Sequence, residues 1–178
     1  MTVLPLALRT PAARNFAKGQ LTRIRRPASG MLRNLALGHL LWIREPFRLK
    51  AKYNGLSPTA ARNFDARPYF AADLNARLID VEQLGPEHAA RSLLKAWHRH
   101  HAIVAGVTRQ RLQDITQAEA RAEGFGSVAA WARNWDEAQQ AFGSKALMWR
   151  VDPTVLVIAL KRVGGPLCTQ DLTERGTA

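Results

Sequence analysis

The sequence predicts an α+β domain with a curved, mixed or antiparallel sheet, and three observations support this fold class. Apolar, strand-like runs lie towards both ends of the chain, and amphipathic helical segments lie between them. No regular alternation of strand and helix occurs, so a doubly wound parallel sheet is not expected. Hydrophobic residues make up 47% of the 178 residues and charged residues 22%, which is typical of a globular domain.

The N-terminal elements follow from an apolar run and from proline and glycine signals. Val3–Leu8 predicts a buried strand. Pro11 suits the first position of a helix, which Gly19 ends as a left-handed cap. Residues 21–26 alternate in part and stop at Pro27, which indicates an edge strand or an extended arm.

The middle of the chain carries weaker signals. Leu40–Ile43 is a compact apolar run and predicts a buried strand, and residues 28–38 before it predict a loop or a short helical turn. Breaker signals fill residues 50–85, so we expect long loops there with one short strand near Tyr69–Ala72. From Pro86 onwards, apolar residues at spacings of three, four and seven predict a helix.

The C-terminal half predicts two strands and two helices. The strands are Ala102–Val107 and Thr154–Lys161, of which the second has the strongest apolar run in the chain. A helix over residues 114–123 is indicated by a Thr-x-x-Glu capping box and by a glycine at its end. A further helix over residues 127–142 begins at a serine cap and ends before another glycine.

The expected organisation is one domain over residues 1–163 and a flexible tail over residues 164–178. The one cysteine, Cys168, excludes a disulfide or a cysteine-based metal site within one chain. The apolar start lacks a preceding basic segment, and no run approaches the roughly 18 apolar residues of a membrane span. We therefore expect a cytoplasmic protein without membrane contact, bound metal or cofactor.

Positive charge is concentrated in the first third of the chain. Residues 1–52 hold eleven lysines and arginines and one acid, Glu45, for a net charge of +10, whereas the rest of the chain carries +2. A GC-rich genome would raise arginine content everywhere and does not explain this concentration. One-sided positive charge on a balanced domain predicts a polyanionic partner.

Five sequence blocks, in order, resemble one family. They are Leu-Ala-Leu-Arg-Thr-Pro (6–11), Gly-Gln-Leu-Thr-Arg-Ile-Arg-Arg-Pro (19–27), Gly-His-Leu-Leu-Trp-Ile-Arg-Glu (38–45), Arg-Leu-Gln-Asp-Ile with Ala-Arg-Ala-Glu-Gly (111–124), and Trp-Arg-Val-Asp-Pro (149–153). Together they resemble the ASCH proteins of bacteria and phages, in the PUA-like superfamily. The resemblance implies a small PUA-like β-barrel or curved mixed sheet with flanking helices and a cleft. It also implies association with RNA, since some members cleave RNA and others hydrolyse acetylated cytidine.

The amidohydrolase members of that family use a lysine, a threonine and a glutamate in the cleft. The lysine position falls on Leu21 and the threonine position on Ile24, whereas a following arginine is retained as Arg25 and the glutamate as Glu123. Leucine and isoleucine cannot act as a base or a nucleophile. The resemblance therefore implies that the amidohydrolase chemistry is absent, and Glu123 is left as the catalytic candidate.

Two alternatives remain for these positions. Thr22 and Arg23 would replace the lost residues after a local shift, but a threonine without a base is a poor nucleophile and an arginine stays protonated. Glu123 has a structural alternative, either as a solvated residue at a helix end or in an ion pair with Arg109 or Arg111.

The nucleic-acid-binding candidates are basic residues of the N-terminal segment: Lys18, Arg23, Arg25, Arg26 and Arg44. In an extended chain Arg23 and Arg25 share one face, and two guanidinium groups on one face suit phosphate oxygens. The alternative is that these arginines form ion pairs inside the fold, with Asp114 or Glu123, or between Arg44 and Glu45.

Histidines and tryptophans receive structural interpretations. His98, His100 and His101 lack the ligand spacing of a zinc site and are expected to form a polar cluster near a helix-to-strand junction. The tryptophans at positions 131, 135 and 149 are expected in the core, and Trp42 is the stacking candidate nearest the arginines.

Three hypotheses follow. The first is an RNA- or nucleotide-binding ASCH module with a basic cleft. The second is a ribonuclease or nucleoside amidohydrolase with a displaced catalytic site. The third is a phage or mobile-element accessory protein that binds a host protein through its basic face.

Overall fold

A computed structural model describes residues 2–74 and 83–163, so the predicted tail and Cys168 lie outside the described part. The strands are β1 (Val3–Ala7), β2 (Arg23–Pro27), β3 (Leu40–Arg44), β4 (Phe47–Lys50), β5 (Tyr69–Phe70), β6 (Leu84–His88), β7 (His101–Arg111) and β8 (Thr154–Val163). The α-helices are α1 (Thr10–Ala17), α2 (Pro58–Arg62), α3 (Gln117–Ala122) and α4 (Val128–Ala141).

A mixed five-stranded sheet forms the centre of the fold, with the strand order β1-β3-β7-β8-β2. The β1–β3 pair is parallel and the other pairs are antiparallel. The three apolar runs predicted as strands become the adjacent strands β3, β7 and β8, so that prediction is confirmed. The prediction of an edge strand before Pro27 is also confirmed, because β2 lies at the end of the order.

The β7–β8 ladder is the longest pairing in this sheet. It runs from the His101–Val163 pair to the Arg111–Thr154 pair, with a register shift between Val104 and Gly106. Such a bulge bends and twists the strand that carries it. The bend helps to curve the sheet around its apolar face.

Helices cover the sheet with small or aromatic residues. Helix α1 buries Ala12, Ala13 and Phe16 in the core cluster formed by the sheet. Helix α4 buries Trp131 and Trp135, which pack with residues before α3 and with β8. The predicted caps are present, since Thr116 and Glu119 form a reciprocal capping box at α3, and Ser127 accepts from the N–H of Ala130 at α4.

A smaller sheet with the order β5-β4-β6 packs around Phe47, which is fully buried. The helix predicted from Pro86 is wrong, because Pro86 lies inside β6 and short 3-10 turns follow it. Leu93 and Trp97 pack on Phe47 from these turns, so the apolar spacing reflects burial in a second small core rather than a helical face.

The α+β class is confirmed, with two sheets and a few helices. In the described residues the strands do not close into a barrel. The short strand expected near residue 69 is β5, whereas β4 and the five-residue helix α2 were not predicted.

Candidate functional site

A cleft of about 620 Å³ lies beside both edge strands of the larger sheet. It is lined by residues at the end of β1, by β2, by the chain after α3 and by one face of α4. These residues include Ala7, Leu8, Arg9, Ile24, Arg26, Arg91, Glu123, Phe125, Trp131, Asn134, Trp135, Gln139 and Phe142. The cleft therefore lies where the two edges of the curved sheet approach each other.

Arg26 joins the two sheet edges across this cleft. Its Nη2 donates to the carbonyl oxygen of Ala7 on β1 at 2.8 Å, and its Nη1 donates to the carbonyl oxygen of Arg25 at 2.7 Å. Burial lowers the pKa of Arg26, the Glu123 carboxylate opposes this shift, and Arg9 adds to it. The guanidinium remains a cation in the lining of the cleft.

Glu123 is the acidic group of the cleft and is 6% exposed. Its Oε1 accepts from the backbone N–H of Arg25 at 3.3 Å, on the outer edge of β2, and its carboxyl group also accepts a hydrogen bond from Trp131. Burial raises the pKa of Glu123, although Arg26 and these hydrogen bonds oppose the shift. The expected alternatives, a solvated residue or a pair with Arg109 or Arg111, are therefore not what the structure contains.

The position of Glu123 is fixed by its neighbour Gly124. Gly124 has a φ of +94°, and a Cβ atom there would lie 2.3 Å from the Cβ atom of Pro11. Asn15 of α1 also donates to the carbonyl oxygen of Ala122 at 2.9 Å. Helix α1 and the end of α3 are thus tightly joined, which holds the carboxylate against β2.

Aromatic rings form one wall of the cleft. Trp131 and Trp135 stack with ring centroids 5.2 Å apart. Both indole N–H groups are engaged, to Glu123 and to the carbonyl oxygen of Leu147 respectively. Phe142 lies at the rim and is 72% exposed. The wall is therefore rigid and apolar, with one accessible ring.

Two exposed arginines, Arg9 and Arg91, line the cleft together with Arg26. No ion pair involves either of them among the described residues. Sequence reasoning did not select them, because Arg91 approaches the cleft through an unpredicted turn and Arg9 only precedes a helix. The amides of Asn134 and Gln139 add polar groups that sequence reasoning also missed.

Arg25 belongs to an internal network and not to the cleft. It is 1% exposed, and its Nη2 lies 3.1 Å from both Glu119 Oε2 and Gln110 Oε1. Arg23 shares that face, as predicted, but its side chain is 62% exposed and lies 3.9 Å from Glu119. The alternative of internal pairing holds for Arg25, with Glu119 as the partner instead of Asp114 or Glu123.

Lys18 and Arg44 lie in different surroundings. Lys18 is exposed at the C-terminal end of α1 and is absent from the lining of the cleft. Arg44 lies over the Trp42 ring at 5.0 Å and donates to the carbonyl oxygen of Arg91. The predicted Arg44–Glu45 pair is wrong, since the fully buried Glu45 receives two hydrogen bonds from Arg99, at 3.0 and 2.8 Å.

Of the three positions that correspond to the amidohydrolase site, two lie together in the cleft. Ile24 and Glu123 both line the cleft, whereas Leu21 is 2% exposed and packs in the main core. Thr22 and Arg23 are both exposed. The cleft thus holds the carboxylate of Glu123 and the half-buried guanidinium of Arg26, and the lysine and threonine of the amidohydrolase site are missing.

The three histidines lie near the start of β7, and burial lowers the pKa values of His98 and His100. The described residues contain no group of three metal-ligating side chains. Within residues 2–74 and 83–163, no helix is long and apolar enough to cross a membrane. Comparisons with known protein families, curated proteins and solved structures find no match.

Proposed function

We propose that the protein is an RNA- or nucleotide-binding module and that its ligand occupies the 620 Å³ cleft. One observation carries this proposal: the cleft combines three arginines with a rigid aromatic wall. A volume of this size is within the range of small-molecule sites. Guanidinium groups suit phosphate oxygens, and aromatic rings suit the faces of bases.

The chemistry of the lining suggests an orientation for the ligand. Arg9 and Arg91 are exposed and unpaired within the described part of the chain, so they are the cations available to a phosphate. The base would stack on Phe142, the exposed ring at the rim of the aromatic wall, and the side-chain amide of Asn134 offers a donor and an acceptor to its edge. Lys18 and Arg23 are exposed but do not line the cleft, so only a strand that extends beyond the cleft would contact them.

The sequence resemblance supports the same proposal. Ile24 and Glu123, two positions compared with the ASCH site, both line this cleft. A curved sheet with flanking helices is compatible with a PUA-like fold, which we propose with the family membership. Apolar residues at the lysine and threonine positions favour binding without amidohydrolase chemistry.

Binding is tested by titrating nucleoside monophosphates and a short single-stranded RNA while recording tryptophan fluorescence. The variant Arg9→Ala/Arg91→Ala should weaken binding about a hundredfold or more, because two charge-assisted hydrogen bonds contribute about 1.5–3 kcal/mol each. Phe142→Ala tests the accessible ring without disturbing the core. The matched control is Arg109→Ala/Lys161→Ala, which removes two exposed charges that do not line the cleft. Equal losses in both double variants would contradict cleft binding.

The enzyme hypothesis also has a specific observation in its favour. A buried carboxyl group with a raised pKa beside a cationic side chain is a common feature of acid–base sites. The test is acetate release from acetylated cytidine and cleavage of RNA, both compared between the native protein and Glu123→Gln. Turnover that disappears in the variant would replace the binding proposal by an enzymatic one. If neither binding nor turnover occurs, a protein partner for the basic segment becomes the leading hypothesis.

A further inference from the structure

A second basic surface lies on the smaller sheet and its neighbouring loops, and it shares no lining residue with the cleft. Its four cations are exposed: Lys50, Lys52, Arg62 and Arg67. None of them forms an ion pair with any carboxylate in the described ranges. Among the described residues, Asp65 is the one acid that lines the two depressions on this surface. The described lining therefore carries four positive charges and one negative charge.

Aromatic rings are interleaved with these cations. Tyr53, Phe64 and Tyr69 line the same depression of about 400 Å³ as Lys50 and Lys52. The Phe64 ring is 65% exposed. Its backbone is held, since the Tyr53 hydroxyl donates to the Phe64 carbonyl oxygen at 2.9 Å. A large apolar ring is thus presented to solvent from an anchored loop.

A second depression adjoins the first. It has a volume of about 1070 Å³ and shares Asp65 and Arg67 with the smaller depression. Arg62 and Trp97 line its other parts. The two depressions form a continuous basic and aromatic track, which we call the small-sheet track.

We propose that the small-sheet track binds single-stranded nucleic acid, with phosphates at Lys50, Lys52 and Arg67 and a base stacked on Phe64. Cations that follow a backbone, together with rings that stack on bases, are the combination that single-strand binding uses. A duplex hides its base faces, and the carboxylate side chains of an acidic peptide have no aromatic face to stack on Phe64. This proposal does not rest on ligand binding in the cleft, because the two sets of residues are separate.

The stacking contact is tested with Phe64→Ala. Binding is measured by fluorescence anisotropy with a labelled uridine strand of about 15 nucleotides, which is within the span of known single-strand sites. An abasic strand of the same length keeps the phosphates and removes the bases. Phe64→Ala should weaken binding of the uridine strand about tenfold and leave binding of the abasic strand unchanged. Because Phe64 is exposed, this variant should fold normally, as circular dichroism will check.

The phosphate contacts are tested with Lys50→Ala/Arg67→Ala. Each lost contact should reduce the slope of log affinity against log salt by about 0.7 on a single strand. The control Arg109→Ala/Lys161→Ala removes the same charge from exposed positions on β7 and β8. A slope that falls equally in both double variants would overturn the proposal, because binding would then follow net charge alone.

The remaining outcomes separate the two sites. The same measurements on the background Arg9→Ala/Arg91→Ala leave the small-sheet track intact while the cleft is impaired. Retained strand binding on this background supports the track, whatever the fate of mononucleotide binding in the cleft. Two results would overturn it: an unchanged affinity of Phe64→Ala for the uridine strand, or equal competition by a duplex of the same length.

Discussion

Two arginines on one strand, two residues apart, should differ sharply in what they contribute to stability. Arg25 is buried and bonded to Glu119 and Gln110 at 3.1 Å, whereas Arg23 is mostly exposed and lies 3.9 Å from Glu119. Arg25→Ala leaves Glu119 without its close cation, an amide without its donor, and a space in a packed region. Removing one partner of a buried pair costs about 3–5 kcal/mol, whereas a surface change costs about 0.5 kcal/mol or less.

The assay is urea unfolding followed by tryptophan fluorescence. With a denaturant dependence of about 2 kcal/mol per M, Arg25→Ala should lower the midpoint by about 1.5–2.5 M, and Arg23→Ala should leave it nearly unchanged. The double variant Arg25→Ala/Glu119→Ala should be less destabilised than the sum of its single changes, because the two side chains interact directly. Equal midpoints for Arg23→Ala and Arg25→Ala would refute the assignment of Arg25 to an internal network.

Three further predictions concern the packing and ionisation of buried groups. Gly124→Ala should destabilise the fold by about 1–3 kcal/mol in the same assay, since the new Cβ atom would meet Pro11 at 2.3 Å and φ is +94°; an unchanged midpoint would contradict the packing described. Burial raises the pKa of Glu123, so the protonated group stabilises the folded state. This stabilisation is fully present below the ordinary pKa of 4.5 and is lost as pH rises through the folded-state pKa. Glu123→Gln should therefore gain stability relative to the native protein at pH 7 and lose that gain near pH 4, as unfolding at several pH values will test. Burial lowers the pKa of His98, so neutral His98 stabilises the folded state above pH 6.5, and this stabilisation is lost as pH falls through the folded-state pKa. His98→Gln should therefore reduce the loss of stability between about pH 6.5 and 5.

Much of the larger sheet was predictable because its strands are marked by local signals. The apolar runs of β3 and β8 are bounded by glycine or proline, and β2 ends at Pro27. Helix α4 was predictable from its serine cap and from its terminal glycine. These signals depend on neighbouring residues alone, and tertiary contacts did not override them.

The remaining elements depend on contacts between distant segments. The spacing of Leu93 and Trp97 suggested a helix, but both side chains pack in the cluster around Phe47. Phe47 lies on the four-residue strand β4, which is too short to show a pattern of alternating apolar residues. The alternation of Arg23 and Arg25 correctly placed them on one face. It could not reveal that Glu119 of α3 reaches that face, about 95 residues further along the chain. Burial of Arg25 therefore could not be read from the strand itself.

The Arg26 bridge between the sheet edges also bears on self-association. Unpaired backbone groups on an edge strand are a template for pairing with another molecule. Here the N–H of Arg25 on the outer edge of β2 is taken by Glu123, and the carbonyl oxygens of Arg25 and Ala7 are taken by Arg26. The centre of the β2 edge is thus occupied by charged side chains of the same chain, and Arg26 also takes the last carbonyl group of β1. Glu123 and Arg26, which line the cleft, therefore also remove the central backbone groups of β2 from pairing with a second copy of the chain.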